Sequence, residues 1–107
     1  MKRSVLPLVL LAFASVTALA ADPIAKVNGK PIPASRADVL IASQQAQGHA
    51  KTPELEKAVK EELIRREVLA QAAAAKGLDK KPDVQAQMEL ARQGVLIGAY
   101  LNDYAKA

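Results

Sequence analysis

The sharpest contrast in the hydrophobic pattern lies between the first twenty residues and the rest. Val5 to Val16 is an almost unbroken apolar run, interrupted only by Pro7 and the small Ser15, and preceded by Lys2 and Arg3. It closes on Ala18-Leu19-Ala20, the small-x-small pattern cut by signal peptidase. These features predict a secretory signal peptide over residues 1–20, cleaved between Ala20 and Ala21. A membrane span needs roughly 20 apolar residues, so the run is too short for an anchor. The expected location is periplasmic or secreted.

After the signal the pattern changes period. Ile24-Ala25-Lys26-Val27 alternates, Asn28-Gly29 is a turn signal, and Lys30-Pro31-Ile32 leaves it extended, because a residue before proline avoids the helical region. Residues 21–33 therefore read as an extended arm or a very small hairpin. A first helix is expected near Ser35, with Asp38 completing a capping box, and ends before Gly48. The second helix has the clearest limits. Thr52 is its N-cap, Pro53 its first residue, Glu54 and Glu56 favour the dipole, and Lys76-Gly77 stops it. The third begins at Pro82-Asp83 and runs toward Tyr104.

On a helical wheel the second helix places Leu55, Val59, Leu63, Ala70 and Ala73 on one side, and Ile64, Val68 and Ala72 nearly opposite Leu55. The third carries one stripe of Val84, Met88, Ala91, Val95 and Ala99 and another of Leu90, Ile97, Leu101 and Tyr104. One neighbour cannot cover two faces. The surplus is either core of a compact bundle or a surface for a partner or further chain. Gly94 and Gly98, four residues apart inside the third helix, are expected to allow the close approach of a neighbouring helix.

Composition narrows the picture. Without the signal about 87 residues remain, one small domain. Removing Lys2 and Arg3 lowers the formal charge from +4 to +2, so no strong basic patch is left for nucleic acid. There is no cysteine, which excludes disulfides, thiol chemistry and a lipid anchor on cysteine. Only Tyr100 and Tyr104 remain as aromatics.

Candidate chemistry is sparse. His49 stands alone in a loop between helices and reads as solvated. No His, Asp or Glu cluster has metal-ligand spacing. Of the hydroxyls after the signal, Ser35 and Thr52 read as caps and Ser43 has no companion base. Glu54, Glu56, Glu61, Glu62 and Glu67 are expected on a solvated face, with Glu61–Arg65 and Glu62–Arg66 at i,i+4. No catalytic residue, metal or cofactor is assigned. On these residues alone the chain is a binding or structural module rather than a self-sufficient enzyme.

Three segments together resemble a known family. They are Ala25-Lys26-Val27-Asn28-Gly29-Lys30-Pro31-Ile32, Leu63-Ile64-Arg65-Arg66-Glu67-Val68-Leu69 leading into Ala74-Ala75-Lys76-Gly77-Leu78-Asp79, and Pro82 to Gln93. Behind an export signal, this order resembles the N-terminal chaperone region of exported parvulin-type peptidyl-prolyl cis-trans isomerases, the SurA/PrsA/PpiC-like group. The resemblance implies a helical region that holds unfolded exported polypeptides, normally followed by a separate parvulin domain. The residues of that domain have no counterpart here, so isomerase activity is implied only for a longer parent.

The resulting expectation is an all-α fold. It has about three helices over residues 34–107, the last two a long antiparallel hairpin, behind an extended N-terminal arm. Client-binding side chains are expected to be Leu90, Val95, Leu96, Ile97, Tyr100, Leu101 and Tyr104. The expected partners are unfolded or partly folded exported polypeptides, with a homodimer in view, and neither nucleic acid nor a stable membrane anchor. The alternative is a helical module that docks one fixed partner or its own copy.

Overall fold

The computed structural model describes residues 22–106, so the signal peptide assignment lies outside the described residues. The order of elements is β1 (Ala25–Val27), β2 (Lys30–Ile32), α1 (Ala34–Ala46), α2 (Pro53–Ala75), a 3-10 turn (Leu78–Lys80) and α3 (Pro82–Lys106).

The N-terminal arm is a hairpin. Asn28 and Gly29 both take positive φ, +53° and +79°, the geometry of a two-residue hairpin turn. The strands are antiparallel, with Ala25 opposite Ile32, Lys26 opposite Pro31 and Val27 opposite Lys30. Pro31 is tolerated because a two-stranded ribbon has only edge strands. This register puts Ala25, Val27, Lys30 and Ile32 on one face. Val27 and Ile32 are buried there, and Ile32 has no exposure at all.

That face packs on the helices. Val27, Ile32, Ile41 of α1, and Val59 and Leu63 of α2 form the core. Ile24, Ala25, Ala37, Leu40, Leu55 and Ile64 pack around it, partly buried. The Leu55-Val59-Leu63 stripe of α2 is therefore the inward one.

Helix ends follow local chemistry, with one exception. The Thr52 hydroxyl accepts a hydrogen bond from the Leu55 amide at 3.1 Å, Pro53 opens α2, and Gly77 leaves it at φ +74°. The exception is α1. Its N-cap is Pro33, extended at φ −62° and ψ 142°, and no side chain caps it, so Ser35 lies inside the first turn instead of ahead of it. The Pro33 carbonyl, already aimed by strand β2, accepts from the Arg36 amide at 3.1 Å and opens the helix without a hydroxyl.

The three helices and the great length of the last two are as expected. Packing along a hairpin of α2 and α3 is absent: no residue of α3 is buried, and α3 meets the rest of the chain chiefly at the 3-10 turn. Two features account for this. Gly77 and the extended Lys81 turn the chain away from α2. The end of α2 that a returning helix would meet is Ala72 to Ala75, side chains too small to offer much contact area. The glycines of α3 accordingly face open space. A Cβ added at Gly94 or Gly98 would meet nothing within 4 Å, so neither accommodates a neighbouring helix among the described residues.

Candidate functional site

Two surfaces stand out, an apolar one on α3 and a polar clasp on α2. All seven side chains singled out on α3, Leu90, Val95, Leu96, Ile97, Tyr100, Leu101 and Tyr104, are exposed, between 56% and 77%. Leu90, Ile97, Leu101 and Tyr104 recur at helical spacing and share one face, Tyr100 and Leu96 extend it to one side, and Val95 lies nearly opposite, on the stripe of Val84 and Met88. The helix brings these side chains together on one element. Charges intersperse them. Arg92 Nε and Nη2 donate to the Glu89 carboxylate at 3.0 and 2.8 Å. The Arg92 guanidinium, with Gln93 helping, holds the Glu89 carboxyl below its ordinary range, and Glu89 raises Arg92 in return.

The clasp contains Glu67, which the charge pattern had placed on a solvated face. It is buried, only 7% exposed. Glu67 continues the inward stripe one step past Leu63, where the pattern Leu55-Val59-Leu63-Glu67 ends in a carboxylate instead of an aliphatic side chain. Gln71, a further turn along, donates from Nε2 to Glu67 Oε2 at 2.8 Å and to the Val27 carbonyl at 3.0 Å. Asn28 at the hairpin tip donates to Gln71 Oε1 at 2.8 Å. Arg36 of α1 donates to Glu67 Oε1 at 3.3 Å, and the Lys30 ammonium lies 3.8 Å from Oε2. The Gln71 hydrogen bond, the charge of Lys30 and the contact with Arg36 hold the Glu67 carboxyl below its ordinary range, against the opposing effect of burial. One glutamate thus joins hairpin, α1 and α2, and no buried side-chain nitrogen or oxygen among the described residues lacks a partner. The i+4 interval from Leu63 to Glu67 was the available signal for this role. The expected i,i+4 pairs are also revised: Arg65 meets Glu62 at i,i+3 instead of Glu61, so among the described residues neither Glu61–Arg65 nor Glu62–Arg66 forms.

Beside the clasp lie two adjoining grooves between α1 and α2. One, about 450 Å³, is lined by Arg36, Leu63, Arg66, Glu67, Leu69 and Ala70. The other, about 320 Å³, shares Arg36, Leu63 and Arg66 and adds Ser35, Val39 and Leu40. His49 is exposed in its loop. Among the described residues no group of three His, Asp or Glu side chains has metal-binding geometry, and no helix is long and apolar enough to cross a membrane.

The arrangement is a small helical domain with a compact clasped end and a long helix whose apolar side chains are exposed. Three curated relatives, from Bordetella pertussis, Bordetella parapertussis and Bordetella bronchiseptica, are each named a probable parvulin-type peptidyl-prolyl cis-trans isomerase. Each is 42% identical over 97 residues, covering 89% of this chain and 38% of the relative. The resemblance to parvulin-type isomerases is therefore real over nearly all of this chain, which spans well under half the length of those relatives. No family model matches the chain, and no solved structure matches it.

Proposed function

We propose that this chain is the client-holding region of an exported folding factor of the parvulin isomerase family, working in the periplasm without ATP. One observation supports the reading above others: α3 presents eight large apolar side chains to solvent, Met88 and the seven named above, and buries none of its residues. Soluble monomers rarely expose a contiguous apolar surface beyond a few hundred Å² unless it binds something. Apolar contact is non-directional, so such a helix suits clients that share no sequence. Glu89, Arg92, Asp103 and Lys106 on the same helix keep a loaded complex in solution. No covalent step is assigned to this chain, and isomerisation belongs to a longer protein that carries a parvulin domain.

The test is aggregation of an unfolded model protein followed by light scattering, with a proline-peptide isomerisation assay on the same sample. Suppressed aggregation without isomerisation is expected. Replacing Ile97 and Leu101 together by serine should abolish suppression while leaving helicity largely intact. Full suppression by that folded double variant refutes the assignment of α3.

A second reading has its own support. The open space at Gly94 and Gly98 leaves room for another helix to approach closely, as a dedicated docking module or a homodimer would require. Promiscuity separates the two: a holding domain protects unrelated clients, and a docking module forms one complex of fixed stoichiometry.

A further inference from the structure

We propose that the groove between α1 and α2 is a second binding site, built for a polypeptide segment that carries carboxylates beside leucine-like side chains. The proposal deepens the client-binding reading by naming a client chemistry, and it places that chemistry away from α3. The floor is apolar: Leu63 is buried and Leu40 partly so, while Val39 and Leu69 stand on the rims, 67% and 63% exposed. The charges at the mouth are Arg36 and Arg66, which line both halves of the groove.

Their balance decides the ligand. Glu67 is already met by Lys30 and Arg36, and Arg66 makes no ion pair among the described residues. Two guanidinium groups against one carboxylate line the groove, and Lys30 outside the lining further offsets Glu67, so the groove is left positive. The other hollows of the domain differ. One, between Ile24, Ile41 and the start of α2, mixes Asp38 and Glu56 with Lys51 and Lys60, and another, beside Leu55 and Val59, carries only Glu62. A positive rim over an apolar floor is complementary to an amphipathic acidic segment and repels a basic one. Guanidinium adds geometric preference, since its fork of donors matches a carboxylate. From Leu63 to Ala70 the wall runs eight residues of helix, about 10 Å end to end, enough for two turns of a bound helix or a short extended stretch.

The experiment uses the full chain and two fluorescent synthetic peptides of equal length, one of leucine and glutamate and the other of leucine and lysine at the same spacing. Anisotropy should show the glutamate peptide binding about tenfold tighter or more, as a hydrogen bond to a charged group allows, with the margin shrinking as salt is added. Arg66→Glu should erase or reverse the preference, and Leu69→Ser, at an exposed rim, should weaken both peptides together. Circular dichroism confirms that each variant is folded. Equal binding of the two peptides, or a preference kept by folded Arg66→Glu, overturns the proposal. Phosphatidylglycerol vesicles that displace the peptide with the same Arg66 dependence also overturn it, in favour of a lipid surface. The Ile97→Ser, Leu101→Ser variant separates the two surfaces. A preference that survives there supports the groove even if α3 proves not to hold clients, and a preference lost there puts the peptide on α3 and overturns the groove.

Discussion

Two isoleucines of this chain offer a controlled comparison. Ile32 on β2 has no exposure, whereas Ile97 on α3 is 56% exposed. Replacing either by alanine removes the same three carbon atoms. At Ile32, about 0.8 kcal/mol for each buried carbon gives a transfer loss of about 2.4 kcal/mol. The cavity left between hairpin and helices raises the total to about 3–4 kcal/mol. At Ile97 no cavity forms, alanine is the better helix former, and the change should stay within about 0.5 kcal/mol. The assay is urea unfolding followed by circular dichroism at two protein concentrations. With an unfolding slope of about 1 kcal/mol/M, Ile32→Ala should lower the midpoint by about 3 M, and an already unfolded variant meets the same expectation. Ile97→Ala should leave the midpoint nearly unchanged. Equal losses at the two sites would refute the division into a clasped core and an unpartnered helix. A loss at Ile97 that grows with protein concentration would place α3 inside an assembly.

Gly94→Ala and Gly98→Ala should each stabilise α3 by about 1 kcal/mol, because open space surrounds both positions, and thermal melts of the helical signal read the gain. A loss instead would show that a neighbouring helix uses those positions in solution. The depressed Glu67 carboxyl makes stability depend on pH. An unfolded glutamate takes its proton near 4.3, so the contribution of Glu67 is complete above that value and is lost as pH falls through the lower folded-state value. Glu67→Gln should lower the urea midpoint at pH 7 and flatten its decline below pH 4.5, and an unchanged slope refutes the role of the clasp.

Much of the fold was legible where a single residue type carries a single physical role. Thr52 with Pro53, Gly77 after Lys76, and Asn28-Gly29 each mark a boundary through hydrogen bonding or positive φ, needs that neighbours in space do not alter. The start of α1 was less legible because a strand aimed the Pro33 carbonyl, and a serine two residues on imitates a cap that nothing required. Glu67 was misplaced for a related reason: a charge on a wheel says nothing about whether Arg36, thirty-one residues away, and Lys30 come to meet it. The pairing of α2 with α3 illustrates the same limit. Apolar stripes tell which faces can be covered, and the partner that covers them is set by turn geometry and by the size of the facing side chains.

The core of five apolar residues ends at Leu63, and none comes from α3. The exposed apolar face of α3 therefore lies apart from the residues that form the core. Substitutions along α3 meet little folding constraint beyond helix propensity, so the surface of this helix can change freely while the clasped end stays fixed. The domain is in that sense a ready-made display scaffold: a library varied at the exposed positions of α3 could be selected for new specificities without re-solving the folding problem for each member.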